Sequence, residues 1–204
     1  MDEISIDPAG VQIVEPVARD GNVSESELRI LSKLAQGRES LLEIGTFDGR
    51  TTVNLAIHCA PHGRVWTLDL PAGQTPVFTS HPADLNYIHA EKPPRWLKYQ
   101  DAAMKITALA GDSASYDFGT LRFDFIFVDG CHAADCVRSD TYRMLSLILP
   151  GGICLWHDYG GCFRSVTGVL DDMARFLPMR RIEGTSLVVY QCRHNPDWNA
   201  LASP

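Results

Sequence analysis

One stretch constrains this chain more than any other: Leu41-Leu42-Glu43-Ile44-Gly45-Thr46-Phe47-Asp48-Gly49-Arg50-Thr51-Thr52. The run Leu41 to Ile44 has the length of a buried parallel strand, and the apolar residues from Thr51 to Ile57 recur three or four apart, so a helix is expected to begin near Arg50. A strand that passes through Gly45 and Gly49 into a helix N-terminus offers unpaired backbone N–H groups to a ligand, with no Cβ at Gly45 to block its approach. Phosphate is a poor candidate for that ligand. A dinucleotide turn reads G-x-G-x-x-G, whereas Phe47 stands where the second close-approach glycine would be, and Glu43 on the strand would repel an anion and suit an ammonium group.

A chain of 204 residues suffices for one well-buried α/β domain and is too short for two. With 45% hydrophobic and 21% charged residues, wholesale disorder is not expected. A formal net charge of -7 argues against holding nucleic acid through counterion release, which leaves small molecules as the expected partners. No apolar run is long enough to span a bilayer, and Met1-Asp2-Glu3-Ile4-Ser5 lacks the character of a secretion signal, so a cytoplasmic location without membrane contact is the expectation. Six scattered cysteines without a C-x-x-C pair favour reduced thiols. Cys131-His132 with Cys136 comes nearest to a thiolate metal site but lacks two ligands.

Along the chain, residues 1–22 show no sustained period and read as an N-terminal arm, extended or in short turns. Ser24 to Glu27 fit a capping box that opens a helix ending at Gly37. Arg64 to Asp69 alternate as a second strand whose terminal acid lies about twenty residues past the glycine turn, where a carboxylate can accept ribose hydroxyls. Residues 70–103 are rich in proline and interspersed with His81, Tyr87, His89 and Trp96; they read as a lid or substrate wall, or else a dimer contact, so a homo-oligomer stays open. Further strands are expected over 105–110, 123–128 and 153–156, with helices over 133–147 and 163–176 between and after the last two. Arg180 to Ile182 and Ser186 to Tyr190 then close the sheet as a hairpin around Gly184, and 193–204 reads as a frayed tail beyond a single domain over 23–192. The fold class is therefore α/β: a three-layer, doubly wound, mainly parallel sheet with a C-terminal antiparallel strand. Glu43, Asp69, Asp112, Asp129 and Asp158 fall at or near strand ends, whereas Glu25, Glu27, Asp171 and Asp172 read as surface charge.

The pattern E-I-G-T-x-x-G-x-T-T, with these acids and the closing hairpin, resembles the class I methyltransferases that use S-adenosylmethionine, in particular the small-molecule O-methyltransferase branch. The resemblance covers roughly residues 41–191. It implies a Rossmann-like fold and a cofactor site in which Glu43, Gly45 and Gly49 frame the methionine end, Asp69 the ribose, and Asp112 and Ser113 the adenine. Thr46, Phe47, Thr51, Leu70 and Asp129 complete the cofactor set. On the reacting side it implies Asp129, His132, His157 and Asp158, with Asp129 and Asp158 matching the carboxylates that hold a divalent cation, Mg2+ or another, in the metal-dependent members. The chain departs from the catechol-type pattern at Tyr159, where Asp-Asn becomes Asp158-Tyr159 and one oxygen ligand is lost, so the metal requirement stays open. His132 and His157 are the alternative bases because imidazole titrates near neutrality. The expected reaction is methyl transfer to a hydroxyl of a small molecule, a sugar or a phenol. The rival readings are an NAD(P)-binding oxidoreductase and a non-catalytic cofactor-binding protein.

Overall fold

The computed structural model describes residues 1–88 and 93–193. His89 of the proline-rich insert and the tail expected from 194 onward lie outside the described residues. The elements run β1 (Asp2–Ile4), α1 (Glu25–Ala35), β2 (Ser40–Ile44), α2 (Arg50–His58), β3 (Arg64–Asp69), α3 (Leu85–Ile88), α4 (Gln100–Ala103), β4 (Ile106–Ala110), β5 (Phe123–Val128), α5 (Ala134–Leu147), β6 (Ile148–Trp156), α6 (Arg164–Met173), β7 (Arg180–Ile182) and β8 (Val188–Gln191). Short 3-10 turns at Pro82–Asp84 and Arg95–Lys98 flank α3 and precede α4.

The strands form one sheet in the order β1-β7-β8-β6-β5-β2-β3-β4. Strands β2 to β6 are mutually parallel, and β8 runs antiparallel between β6 and β7, which is the closing hairpin expected around Gly184. The chain winds outward in both directions from the β2–β5 pair, so the carboxyl ends of these two strands flank the crevice in which ligands of such sheets bind.

Alternation on β5 divides the core in two. Phe125 and Phe127 face one layer with Leu41, Leu28, Leu31 and Val53, whereas Ile126 and Val128 face the other with Trp156, Met144 and Leu170. Phe123 breaks the alternation and joins the second layer, because the β5–β6 register shifts between Phe123 and Phe125. Helices α1 and α2 cover the first layer and α5 and α6 the second. The α1 cap forms as the sequence predicts: Glu27 N–H donates to Ser24 Oγ at 3.2 Å and Ser24 N–H to Glu27 Oε2 at 2.9 Å.

The structure adds one feature to the expectations and corrects another. The extended start of the arm, Asp2–Ile4, pairs in parallel with Arg180–Ile182; three residues are too few to show a period, and their partner lies at the far end of the chain. The fifth strand of the expected series begins at Ile148 rather than Ile153. It passes through Pro150-Gly151-Gly152, which the sheet tolerates because Gly151 adopts a φ of 82° beside the register shift.

The rest of the arm is anchored by two buried guanidinium groups. Arg50 donates to the carbonyls of Glu15, Pro16 and Val23 at 2.7, 3.1 and 2.7 Å. Arg95, from the insert, pairs with Asp48 at 2.7 Å, lies 3.3 Å from Glu15, and donates to the Val17 carbonyl at 3.0 Å. Arm, glycine turn and insert are thereby joined by charge-assisted bonds in a poorly solvated place.

Candidate active site

A cavity of about 400 Å³ opens at the carboxyl ends of the strands, walled by the turn after β2, the ends of β3 and β4, the loops after β5 and β6, the insert and the arm segment Asp20 to Asn22. Of the residues singled out in the sequence, Gly45, Phe47, Asp69, Leu70, Asp112 and Ser113 reach it on one side and Asp129, His132, His157 and Asp158 on the other. Glu43, Thr46, Gly49 and Thr51 are not among its wall residues.

The turn works differently from the sequence expectation. A Cβ on Gly45, at a φ of 94°, would lie 2.0 Å from the Asp129 carbonyl oxygen, so the β5 loop backbone already requires glycine here, beside its place in the cavity wall. At Gly49 the Cβ position is filled by the Trp96 ring at 2.3 Å, and the Arg50 N–H is taken by Asp48 at 3.2 Å. The α2 N-terminus is therefore covered by the insert, and Trp96 packs there as a buried side chain. Glu43 is buried away from the cavity wall. It lies under the turn, where Thr52 and Thr67 donate to its Oε2 at 2.5 and 2.6 Å, and burial pushes its carboxyl up to about 8. Thr67 Oγ1 also lies 2.7 Å from Thr46 Oγ1, so Glu43 holds the turn from beneath.

Asp69 ends β3 beside this turn. It accepts the Phe47 N–H at 3.1 Å and the Leu70 N–H at 3.0 Å and still lines the cavity. Phe47, at a φ of 49°, turns its ring edge-on to Tyr87 at 5.5 Å. Beyond β4, Asp112 accepts the Val77 N–H at 2.6 Å and the Ala114 N–H at 2.8 Å, pinning the start of the insert to the sheet.

At the opposite end, carboxylates and imidazoles alternate. His132 Nδ1 lies 2.5 Å from Asp84 Oδ1 and its Nε2 lies 2.6 Å from Asp158 Oδ2. His157 Nδ1 lies 3.0 Å from Asp129 and 3.2 Å from Asp158, with its Nε2 3.4 Å from Glu27. Burial opposes charge on both rings, but the paired carboxylates outweigh it, so His132 is pushed up to about 10 and His157 well above its ordinary value. Burial likewise opposes ionisation of Asp158, yet bonds from the two imidazoles hold it far below the carboxylate range. Asp158 adopts a left-handed backbone, φ 64°, which turns its carboxylate back over the β5 loop toward His132. The ring of Phe163 stacks on His132, centroids 3.8 Å apart. Among the described residues, the group whose ligand atoms gather within 4.8 Å of one another is Asp129, His132 and Asp158, and not Cys131 with Cys136.

Three residues were missed or misassigned from sequence. Glu27 is not surface charge: it is buried, and its Oε1 accepts the Ser186 N–H at 2.9 Å and hydroxyl at 2.7 Å while the other oxygen serves the α1 cap and His157. Its capping-box position had supplied a sufficient local explanation. Asp84, in the 3-10 turn of the insert, also accepts the His132 N–H at 2.9 Å; proline at 82 signalled a turn but nothing pointed to an imidazole 48 residues on. Asp140 lies on α5, is 2% exposed and lines the cavity. An acid at a position whose helical neighbours Val137, Thr141 and Met144 are buried was the available signal. Tyr159, which stands where the catechol-type pattern has Asn, donates to Asp171 at 2.8 Å and lies outside the cavity wall.

Comparison with known proteins bears on this site. Residues 42–159 match the family model described as a methyltransferase domain, which spans the glycine turn through the Asp158 loop. No curated protein matches the chain. Among solved structures, the O-methyltransferase TomG of Streptomyces achromogenes, involved in tomaymycin synthesis and complexed with S-adenosylmethionine, is 19% identical, covers 84% of this chain and 82% of its own, and superposes with a TM-score of 0.58. The O-methyltransferase of Bacillus cereus complexed with S-adenosylhomocysteine is 18% identical over 85% of this chain and 84% of its own, TM-score 0.55. The N-methyltransferase NodS of Bradyrhizobium japonicum is 19% identical over 83% and 94%, TM-score 0.54. These likenesses are of fold, and they do not separate oxygen from nitrogen as the methyl acceptor. The family match removes the oxidoreductase alternative, and no helix among the described residues is long and apolar enough to cross a membrane. From the β2 turn to the β6 loop, this chain belongs to the methyltransferase domain family and has the class I, S-adenosylmethionine-dependent fold.

Proposed function

We propose that the protein transfers a methyl group to a hydroxyl of a small molecule, such as a sugar or a phenol, at the end of the cavity bounded by Asp129, His132 and Asp158. The convergence of these three side chains, each half-buried and within 4.8 Å of the others, carries the reading. When bound, S-adenosylmethionine supplies a methyl on a sulfonium centre. The residues present fit it: the cavity is walled by Asp69 and Asp112 where hydroxyl and amino donors need acceptors, and by carboxylates rather than Lys or Arg where a cationic sulfur would lie. The chain's part is to align the acceptor oxygen and relieve it of its proton. Alignment contributes on the order of 7–11 kcal/mol when the reacting atoms meet correctly. Proton removal falls to Asp158: as the acceptor hydroxyl parts the 2.6 Å contact with His132, the freed carboxylate takes the proton, and the protonated imidazole, held from behind by Asp84, stabilises the negative charge that develops on the oxygen.

A divalent cation at the same place is the second reading, favoured by the donor set itself. Two carboxylates and an imidazole suit such an ion, and Asp129, His132 and Asp158 would hold it. It would supply Lewis acidity toward the acceptor oxygen.

The test is methyl transfer from labelled S-adenosylmethionine across a panel of sugars, phenols and amines, with wild type and Asp158→Ala, with and without chelator. Label on hydroxyl groups that is lost in Asp158→Ala supports the proposal, and sensitivity to chelator selects the cation reading. Label on nitrogen alone removes the O-specific assignment. Cofactor binding without turnover over the whole panel makes the protein a non-catalytic binder.

A further inference from the structure

Phe163 stands directly before α6, a place where Ser, Thr, Asp or Asn would cap the helix, and its side chain caps nothing. The ring is engaged elsewhere. It lines the cavity and lies face to face with the His132 imidazole, centroids 3.8 Å apart and planes 14° from parallel. Two residues on, Ser165 Oγ donates to the His132 carbonyl at 2.6 Å, so the loop after β6 grips both the side chain and the backbone of this residue. From the insert, His81 stands edge-on to the Phe163 ring at 5.2 Å and accepts the Ala83 N–H at 3.2 Å, and the same turn delivers Asp84 to His132 Nδ1. The stack is closer than two neutral rings favour, since these prefer offset or edge-on pairs with centroids about 4.5–7 Å apart. A cation over an aromatic face is different, and His132 is one, because both of its nitrogens face carboxylate oxygens, which only accept.

The two in-plane bonds leave one motion open. They pin the imidazole at Nδ1 and Nε2, and a ring held at two points can still tilt about the line between them; the Phe163 face removes that freedom. The constraint matters most during turnover. A hydroxyl that parts the His132–Asp158 contact takes away the Nε2 anchor at the moment when the Nε2 hydrogen has to point at the acceptor oxygen, leaving Asp84 and the stack to hold the ring. His132 and Asp158 are both half-buried in the cavity wall, so such a hydroxyl can reach them. We propose that Phe163 is the positioning residue of the reacting end: its ring face keeps the His132 imidazole aimed at the acceptor oxygen while the contact with Asp158 is open. This role rests on methyl transfer to a hydroxyl at this end of the cavity, and it includes no part in cofactor binding.

The test is steady-state kinetics on the hydroxyl compound of the panel that wild type methylates fastest, with calorimetric binding of S-adenosylhomocysteine, for wild type, Phe163→Leu and Phe163→Tyr. Phe163→Leu keeps apolar bulk and loses the aromatic face, so kcat should fall about tenfold, the size of one cation–aromatic contact, with the acceptor KM and the Kd for S-adenosylhomocysteine within about twofold of wild type. Phe163→Tyr keeps the face and should recover most of the loss. The role is overturned by a Phe163→Leu kcat within about twofold of wild type, by a loss carried in the acceptor KM, which makes the ring a wall of the acceptor site, or by a Phe163→Tyr as slow as Phe163→Leu. If Phe163→Leu does not fold, proton NMR of wild type with S-adenosylhomocysteine bound decides: the His132 ring protons, identified by their absence from His132→Gln, are expected upfield of free imidazolium, where the Phe163 ring current reaches them, and ordinary positions overturn the role. A wild type that binds S-adenosylhomocysteine yet methylates no hydroxyl in the panel defeats the reading of the reaction and this role with it, whereas turnover that Phe163→Leu leaves intact defeats this role alone.

Discussion

Asp84 and His132, 48 residues apart in sequence, meet at 2.5 Å between carboxylate oxygen and ring Nδ1, and the same carboxylate accepts the His132 backbone N–H at 2.9 Å. The insert thus orients the imidazole whose other nitrogen faces Asp158. Outer partners of this kind typically govern activity by 10–100-fold. Asp84→Ala is expected to lower kcat by about that factor while leaving the Kd for S-adenosylhomocysteine unchanged, with Asp84→Asn less severe because it keeps an acceptor for the backbone. Steady-state kinetics beside calorimetry check this; a change confined to cofactor affinity would contradict the role.

Arg95 holds the arm to the glycine turn through Asp48, which is fully buried. Its removal strands that carboxylate, and breaking a buried pair from one side costs about 3–5 kcal/mol. Arg95→Ala should fall in urea stability by that order and expose residues 11–23 to proteolysis first. A midpoint within experimental error of wild type would mean that the pair is solvated in solution.

Glu43 sets a pH dependence of stability. Its folded carboxyl titrates at about 8 against an ordinary value of 4.5, so the native state holds a proton that the unfolded chain releases. The sign follows: the contribution of Glu43 to stability falls as pH rises from about 4.5 through about 8 and then levels. Glu43→Gln keeps an acceptor for Thr52 and Thr67 and has no proton to lose, so its advantage over wild type should grow across that window. Parallel denaturation series at several pH values measure the difference, and a constant offset would refute the assignment.

Gly45 is predicted to be irreplaceable for packing rather than for ligand access. Gly45→Ala sets a Cβ 2.0 Å from the Asp129 carbonyl at a φ of 94°, and strain plus overpacking should cost roughly 2–5 kcal/mol. Chemical denaturation reads it directly; a variant that is stable but fails to bind cofactor would restore the ligand-access explanation.

These outcomes show how unevenly the molecule was legible in its sequence. Strands such as Arg64–Asp69 and Phe123–Val128 were readable because apolar runs between turn residues are local signals, and the acids that end them inherit their positions from the sheet. The partners of those acids were not readable. Glu27 finds Ser186 across 159 residues, Asp84 finds His132 across the sheet, and Trp96 fills the space of Gly49 instead of a substrate pocket. Each is a long-range meeting in which the local pattern already had an adequate explanation, a cap or a turn, that masked the distant one. Glu43 shows the converse: its place at a strand end was correct, but the strand's alternation turned it under the loop rather than toward the cavity.

The left-handed corner at Asp158 sets two selective pressures against each other. Glycine would sit there without the backbone strain that an aspartate bears, and a single codon change reaches it, yet that change would erase the carboxylate facing both imidazoles. Robustness alone would favour glycine at this corner, so the acid at 158 is backbone strain carried for the sake of a charge set between two rings.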